Sequence, residues 1–73
     1  MSGPVADPKV AWAIEEISQL GEIDRRACEL TLVHGLSYRE AAERLGTTTG
    51  AVAKRVERSR SRLKALWAEY EGA

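Results

Sequence analysis

The stretch that decides the fold is Gly35-Leu36-Ser37-Tyr38-Arg39-Glu40-Ala41-Ala42-Glu43-Arg44-Leu45-Gly46, followed directly by Thr47-Thr48-Thr49-Gly50-Ala51-Val52. Ser37 with Glu40 three residues later is a capping box, in which the hydroxyl takes a first-turn N–H and the glutamate returns to the serine's own N–H. It opens a short helix whose core face is Ala41, Ala42 and Leu45. Gly46 ends that helix, because glycine adopts a left-handed backbone without steric cost. Thr48 or Thr49 then caps a longer helix. Ala42 is small where two helices must approach, Gly46 lies four residues later, and Val52 six residues after that plugs the pair onto a core.

Working outward, Asp7 is placed as an N-cap with Pro8 as the first helical residue, and Val10, Ala13, Ile14, Ile17 and Leu20 follow helical spacing up to an end near Gly21. Asp24 supports the start of a second helix, which runs through Ala27, Cys28, Leu30, Thr31 and Leu32 to Val33, with Gly35 at its C-terminus. Downstream, Val52, Val56, Ser59, Leu63, Leu66 and Tyr70 form one stripe for burial. There is no strand-like alternation and no repeat. The expected fold is therefore all-α, a four-helix, winged-less helix-turn-helix domain spanning residues 7–71. Its helix-turn-helix unit falls at about residues 37–60, and residues 1–6 are expected to be a flexible N-terminus.

Composition excludes several classes. A chain of 73 residues buries only about 60% of its unfolded surface, too little for a large internal cavity. No apolar run approaches the roughly 18 residues of a membrane span, and no signal peptide opens the chain, so a cytoplasmic location is expected. Cys28 and His34, the single cysteine and single histidine, supply neither a zinc site nor a nucleophilic dyad, and no glycine-rich phosphate loop is present. The reading is a non-enzyme without catalytic residues, metal or cofactor.

The net charge of zero hides an asymmetry. Residues 1–43 carry four basic side chains against eight acidic ones, whereas residues 44–64 hold Arg44, Lys54, Arg55, Arg58, Arg60, Arg62 and Lys64 against Glu57 alone. A basic block in an otherwise acidic chain suggests a polyanion, most simply the phosphates of double-stranded DNA. With Val52 pointing inward, a rotation of about 100° per residue places Gly50, Lys54, Glu57, Arg58 and Ser61 outward and Arg55 and Arg62 on one flank. Thr48, Thr49 and Gly50 then occupy the helix tip that reaches base edges when such a helix enters the major groove.

The run from Leu20-Gly21-Glu22 through Gly35-Leu36-Ser37-Tyr38-Arg39-Glu40-Ala41-Ala42-Glu43-Arg44-Leu45-Gly46 to Gly50-Ala51-Val52-Ala53-Lys54-Arg55-Val56 resembles region 4 of bacterial sigma-70-type factors, the extracytoplasmic-function group above all. The resemblance covers about residues 20–66. It implies binding to the promoter −35 element and contact with the flap of the RNA polymerase β subunit. By position it implies Thr48, Thr49, Lys54, Arg55 and Arg58 at the DNA, with Ser37 and Arg39 near the phosphate backbone. The four-helix pattern is also similar to LuxR-type DNA-binding domains, which often dimerise through their last helix. Thr47, Ala53 and Gly21 depart from the sigma pattern, which commonly has an apolar residue, a basic residue and a proline there. A complete sigma factor needs a second domain for which 73 residues leave no room, so the expectation is a stand-alone regulator.

In that reading the recognition helix spans about residues 49–62, and Arg60, Arg62 and Lys64 fasten it to the backbone. The alternative is a protein-interaction module that binds RNA polymerase, a sigma factor or an anti-sigma factor through the acidic half and the Trp12 and Trp67 surface. Cys28 reads as a core residue and His34 as a helix C-terminal residue. Leu63, Leu66, Trp67 and Tyr70 extend the apolar stripe past the motif and need a cover, either the first helix through Trp12, Ile14 and Ile17 or a second copy in a homodimer.

Overall fold

The computed structural model describes residues 7–72; the expected flexible segment 1–6 lies outside them. Helix α1, Pro8–Ser18, starts as its sequence requires, with the Asp7 carboxylate accepting the Lys9 N–H at 2.7 Å. It stops short of Gly21, because the N–H groups of Gln19 and Leu20 tighten onto the carbonyls three residues back, each at 3.1 Å. Helix α2, Glu22–Cys28, begins before Asp24. Gly21, extended at φ −57° and ψ 154°, is its N-cap, and the Gly21 carbonyl accepts the Arg25 N–H at 2.8 Å.

The expected continuous helix to Val33 becomes π-helical over Glu29–Val33. Within it the His34 N–H reaches back five residues to the Glu29 carbonyl at 2.9 Å, and the Thr31 hydroxyl donates to the Ala27 carbonyl at 2.8 Å. His34 and then Gly35, at φ 77°, close the segment.

Helix α3, Tyr38–Leu45, has the complete capping box: the Glu40 N–H donates to Ser37 Oγ at 3.0 Å and the Ser37 N–H to Glu40 Oε1 at 2.9 Å. At its other end Gly46, at φ 69°, permits paired bonds, from the Thr47 N–H to the Ala42 carbonyl and from the Gly46 N–H to the Glu43 carbonyl. Helix α4, Thr49–Gly72, is capped by Thr48, whose Oγ1 accepts the Ala51 N–H at 3.1 Å. Its 24 residues span about 36 Å at 1.5 Å each, matching the 37 Å longest dimension of the molecule.

Two buried clusters share α4. Ala27, Ala41, Ala42, Val52 and Val56 lock α2, α3 and the start of α4 together, with Leu30, Tyr38 and Leu45 packed around them. Ile17, Cys28 and Leu63 form the second, with Trp12 and Leu20 against them. Beyond it, the Trp12 ring meets Trp67 edge-on at 5.1 Å between centroids and stacks on Tyr70 at 6.1 Å. Thus α1 covers Leu63 and Trp67 through Ile17 and Trp12, while Ile14 and Tyr70, also expected in that contact, stay 46% and 62% exposed. The architecture is the all-α helix-turn-helix expected.

Candidate nucleic-acid interface

The position of α4 follows from its buried stripe. Val52, Val56, Ser59 and Leu63 face the core, so the opposite side is turned to solvent; Lys54 and Arg58 stand exposed there, and Arg62 stands exposed on the flank. Among the described residues none of these three takes part in a salt bridge. Their charge is available to a polyanion, and an exposed guanidinium presents its full fork of donors. Thr49 is exposed at the tip, while the Thr48 oxygen is committed to the cap.

Ser37 and Arg39 sit at the start of α3, at the end of that helix away from the turn, and both are exposed. Ser37 Oγ accepts the Glu40 N–H within the capping box. Arg39 lies 4.0 Å from Glu43 in a pair so exposed that it holds the side chain weakly. The two hydrogen bonds from Ser37 hold the Glu40 carboxyl below its usual range.

Two contacts tie the flanks of α4 to other helices. Arg55, expected on the flank, donates from Nη1 to Asp24 Oδ1 at 2.9 Å and joins α4 to α2. On the other flank the Tyr38 hydroxyl donates to Glu57 Oε2 at 2.5 Å, and Arg60 lies 4.0 Å from the same oxygen. That bond to a carboxylate pushes the Tyr38 phenol up. Sequence spacing could not pair Asp24 with Arg55, 31 positions apart, or Tyr38 with Glu57, 19 apart. The only advance signal was the presence of Glu57 as a lone acid in a basic block.

Away from this face, Cys28 is fully buried, and burial pushes its thiol up, which keeps it protonated and unreactive. Among the described residues no group of His, Cys, Asp and Glu could hold a metal ion, and no helix is long and apolar enough to cross a membrane.

A small helical domain with a glycine-turned helix pair and a basic outer face is a DNA-binding regulatory type of fold. The family model described as "Sigma-70, region 4" matches residues 11–63. The chain belongs to the sigma-70 region 4 family, whose domains bind DNA and RNA polymerase. Comparisons with curated proteins and with solved structures each found no significant match. The matched span ends at Leu63, so Trp67 and Tyr70 lie beyond it.

Proposed function

We propose that the chain is a DNA-binding transcriptional regulator that lays residues 49–62 of α4 in the major groove of double-stranded DNA. The observation that carries this reading is the exposed pair of Lys54 and Arg58 on the side of α4 away from the buried Val52 and Val56, with Arg62 exposed on the flank beside them. Lys54 and Arg58 reach bases or phosphates, Arg55 and Arg62 hold the backbone along one edge, and Ser37 and Arg39 hold it from the start of α3. Thr48 and Thr49 offer hydroxyl and methyl groups at the tip. The tip carries no Arg, Asn or Gln for a bidentate base contact, so Lys54 and Arg58 supply most of the discrimination. Such a protein works in the cytoplasm of a bacterial cell, at the nucleoid.

Selection from a pool of random duplexes at near-physiological salt tests the proposal. An enriched motif that is lost with Lys54→Ala plus Arg58→Ala supports it. Equal recovery of all sequences, unaffected by that pair of changes, overturns it.

A second reading is supported by a groove of about 490 Å³ between α1, Leu32 and α4, floored by Trp12, Leu63 and Trp67 and rimmed by Lys9, Arg60 and Lys64. In that reading the chain binds RNA polymerase, a sigma factor or an anti-sigma factor. A homodimer through Leu63, Leu66, Trp67 and Tyr70 would rest mostly on Tyr70, which remains 62% exposed, since Leu63 is buried and Trp67 packs on Trp12.

A further inference from the structure

We propose that Asp24 is a positioning residue for DNA binding: from α2 it holds the Arg55 guanidinium in the orientation in which its remaining N–H groups meet a backbone phosphate. This inference rests on the DNA-binding reading above.

The Arg55–Asp24 bond is short, at 2.9 Å, yet the side chains remain 41% and 39% exposed. The pair is therefore open to solvent on its outer side rather than sealed in the core. One N–H is committed to Asp24, and a guanidinium has five, so most of the fork is left for a second acceptor. Arg55, Arg58 and Arg62 follow one another at steps of three and four along α4, Arg55 and Arg62 on one flank and Arg58 next to them on the outward side. Asp24 also lines a cleft with Arg58, Ser59 and Arg62 beside Gly21. One carboxylate against three guanidiniums leaves this edge positive, so Asp24 does not cancel its attraction for a phosphate. What Asp24 contributes is order. A long side chain loses rotamer freedom when it binds, and an arginine already held in place loses less.

The sign of one substitution separates this role from the simpler alternative. Asp24→Asn removes one negative charge from the DNA-facing edge, so charge alone predicts tighter binding. Positioning predicts the reverse. Affinity for a duplex selected by the unaltered chain should fall roughly tenfold, the worth of one charge-assisted hydrogen bond. The slope of log affinity against log salt should shrink by about 0.9 as one phosphate contact is lost. Arg55→Ala should do the same, and the double variant should be no worse than either single one. Asp24→Glu, which keeps the carboxylate, should retain most of the slope.

Binding by the Asp24→Asn variant that is tighter, or unchanged, overturns the inference while leaving the functional reading in place. Weaker binding with an unchanged slope also overturns it, because such a loss comes from a smaller folded fraction, which the thermal midpoint by circular dichroism reports independently. If the unaltered chain shows no salt-dependent DNA binding, the functional reading falls and this inference falls with it.

Discussion

The two clusters that share α4 are built from different materials. Around the turn, three alanines and two valines are almost completely buried, and side chains of that size let three helices approach closely. Toward the other end, Ile17, Cys28 and Leu63 continue into the Trp12, Trp67 and Tyr70 stack, where large rings bridge α1 to the tail of α4. The first arrangement sets the angle at which α4 is presented, since a close-packed alanine interface tolerates little displacement. The second provides apolar area to a chain with no phenylalanine and needs no such precision. The lesson is a division of labour along one helix. Geometry is controlled where the basic ridge lies, and much of the stability is gathered where it does not.

The largest effect is expected from the aromatic end. Trp67→Ala should cost about 3 kcal/mol in urea denaturation, the lower part of the range for a buried aromatic because Trp67 is only partly buried. DNA affinity per folded molecule should stay unchanged, and a fall in it would break the division drawn above. Next, Ala42→Leu forces a larger side chain between α3 and α4 and should cost about 2 kcal/mol. Here DNA binding should weaken as well, even where the domain remains folded, because the angle of α4 changes.

A smaller loss, about 1 kcal/mol, is expected from Ser37→Ala, which removes the acceptor for the Glu40 N–H. The capping box also fixes a pH dependence. The Glu40 carboxyl titrates lower in the folded chain than in the unfolded one, so its contribution is present above the ordinary glutamate range. It disappears as pH falls through the depressed value. Glu40→Gln should flatten that part of the acid limb, which thermal melts between neutral and acidic pH would record.

The smallest stability effect belongs to the ridge itself. Arg58→Ala should stay within about 0.5 kcal/mol of the unaltered chain, since exposed residues outside caps and cores contribute little. Its DNA affinity should nevertheless drop steeply. Because both tryptophans report on the aromatic end, their fluorescence and the far-ultraviolet circular dichroism should lose signal at one common denaturant concentration. Separate transitions would mean that the aromatic end opens independently of the turn.

Much of this was legible in advance where local chemistry decides. The Asp7 and Ser37 caps and the Gly35 and Gly46 terminators lie where their side chains, or the lack of one, require. The stripe from Val52 to Leu63 is buried as its spacing demands. Less legible were the ends of α1 and α2. The second helix opens at Glu22, two residues ahead of Asp24, with Gly21 as a cap that offers only a carbonyl, and it turns π-helical over Glu29–Val33 where its period reads as regular. At the candidate interface, the exposure of Lys54 and Arg58 was implied by rotation about α4 alone, which put Arg62 on the flank with Arg55. The engagement of Arg55 and Glu57 was not, because a helical period describes one helix and carries no information about its neighbours.

By itself, then, the sequence determined four helical segments, their glycine-marked boundaries, the inward and outward sides of α4 and membership of the sigma-70 region 4 family. Those features depend on backbone sterics, capping and side-chain periodicity, all of which act within a few residues. Only the tertiary structure decided that α1 covers the tail of α4, that Asp24 holds Arg55 and that Tyr38 holds Glu57. Each depends on the angle and separation between helices. Those emerge from the packing of the alanine and aromatic clusters together, and no single stretch of chain contains them.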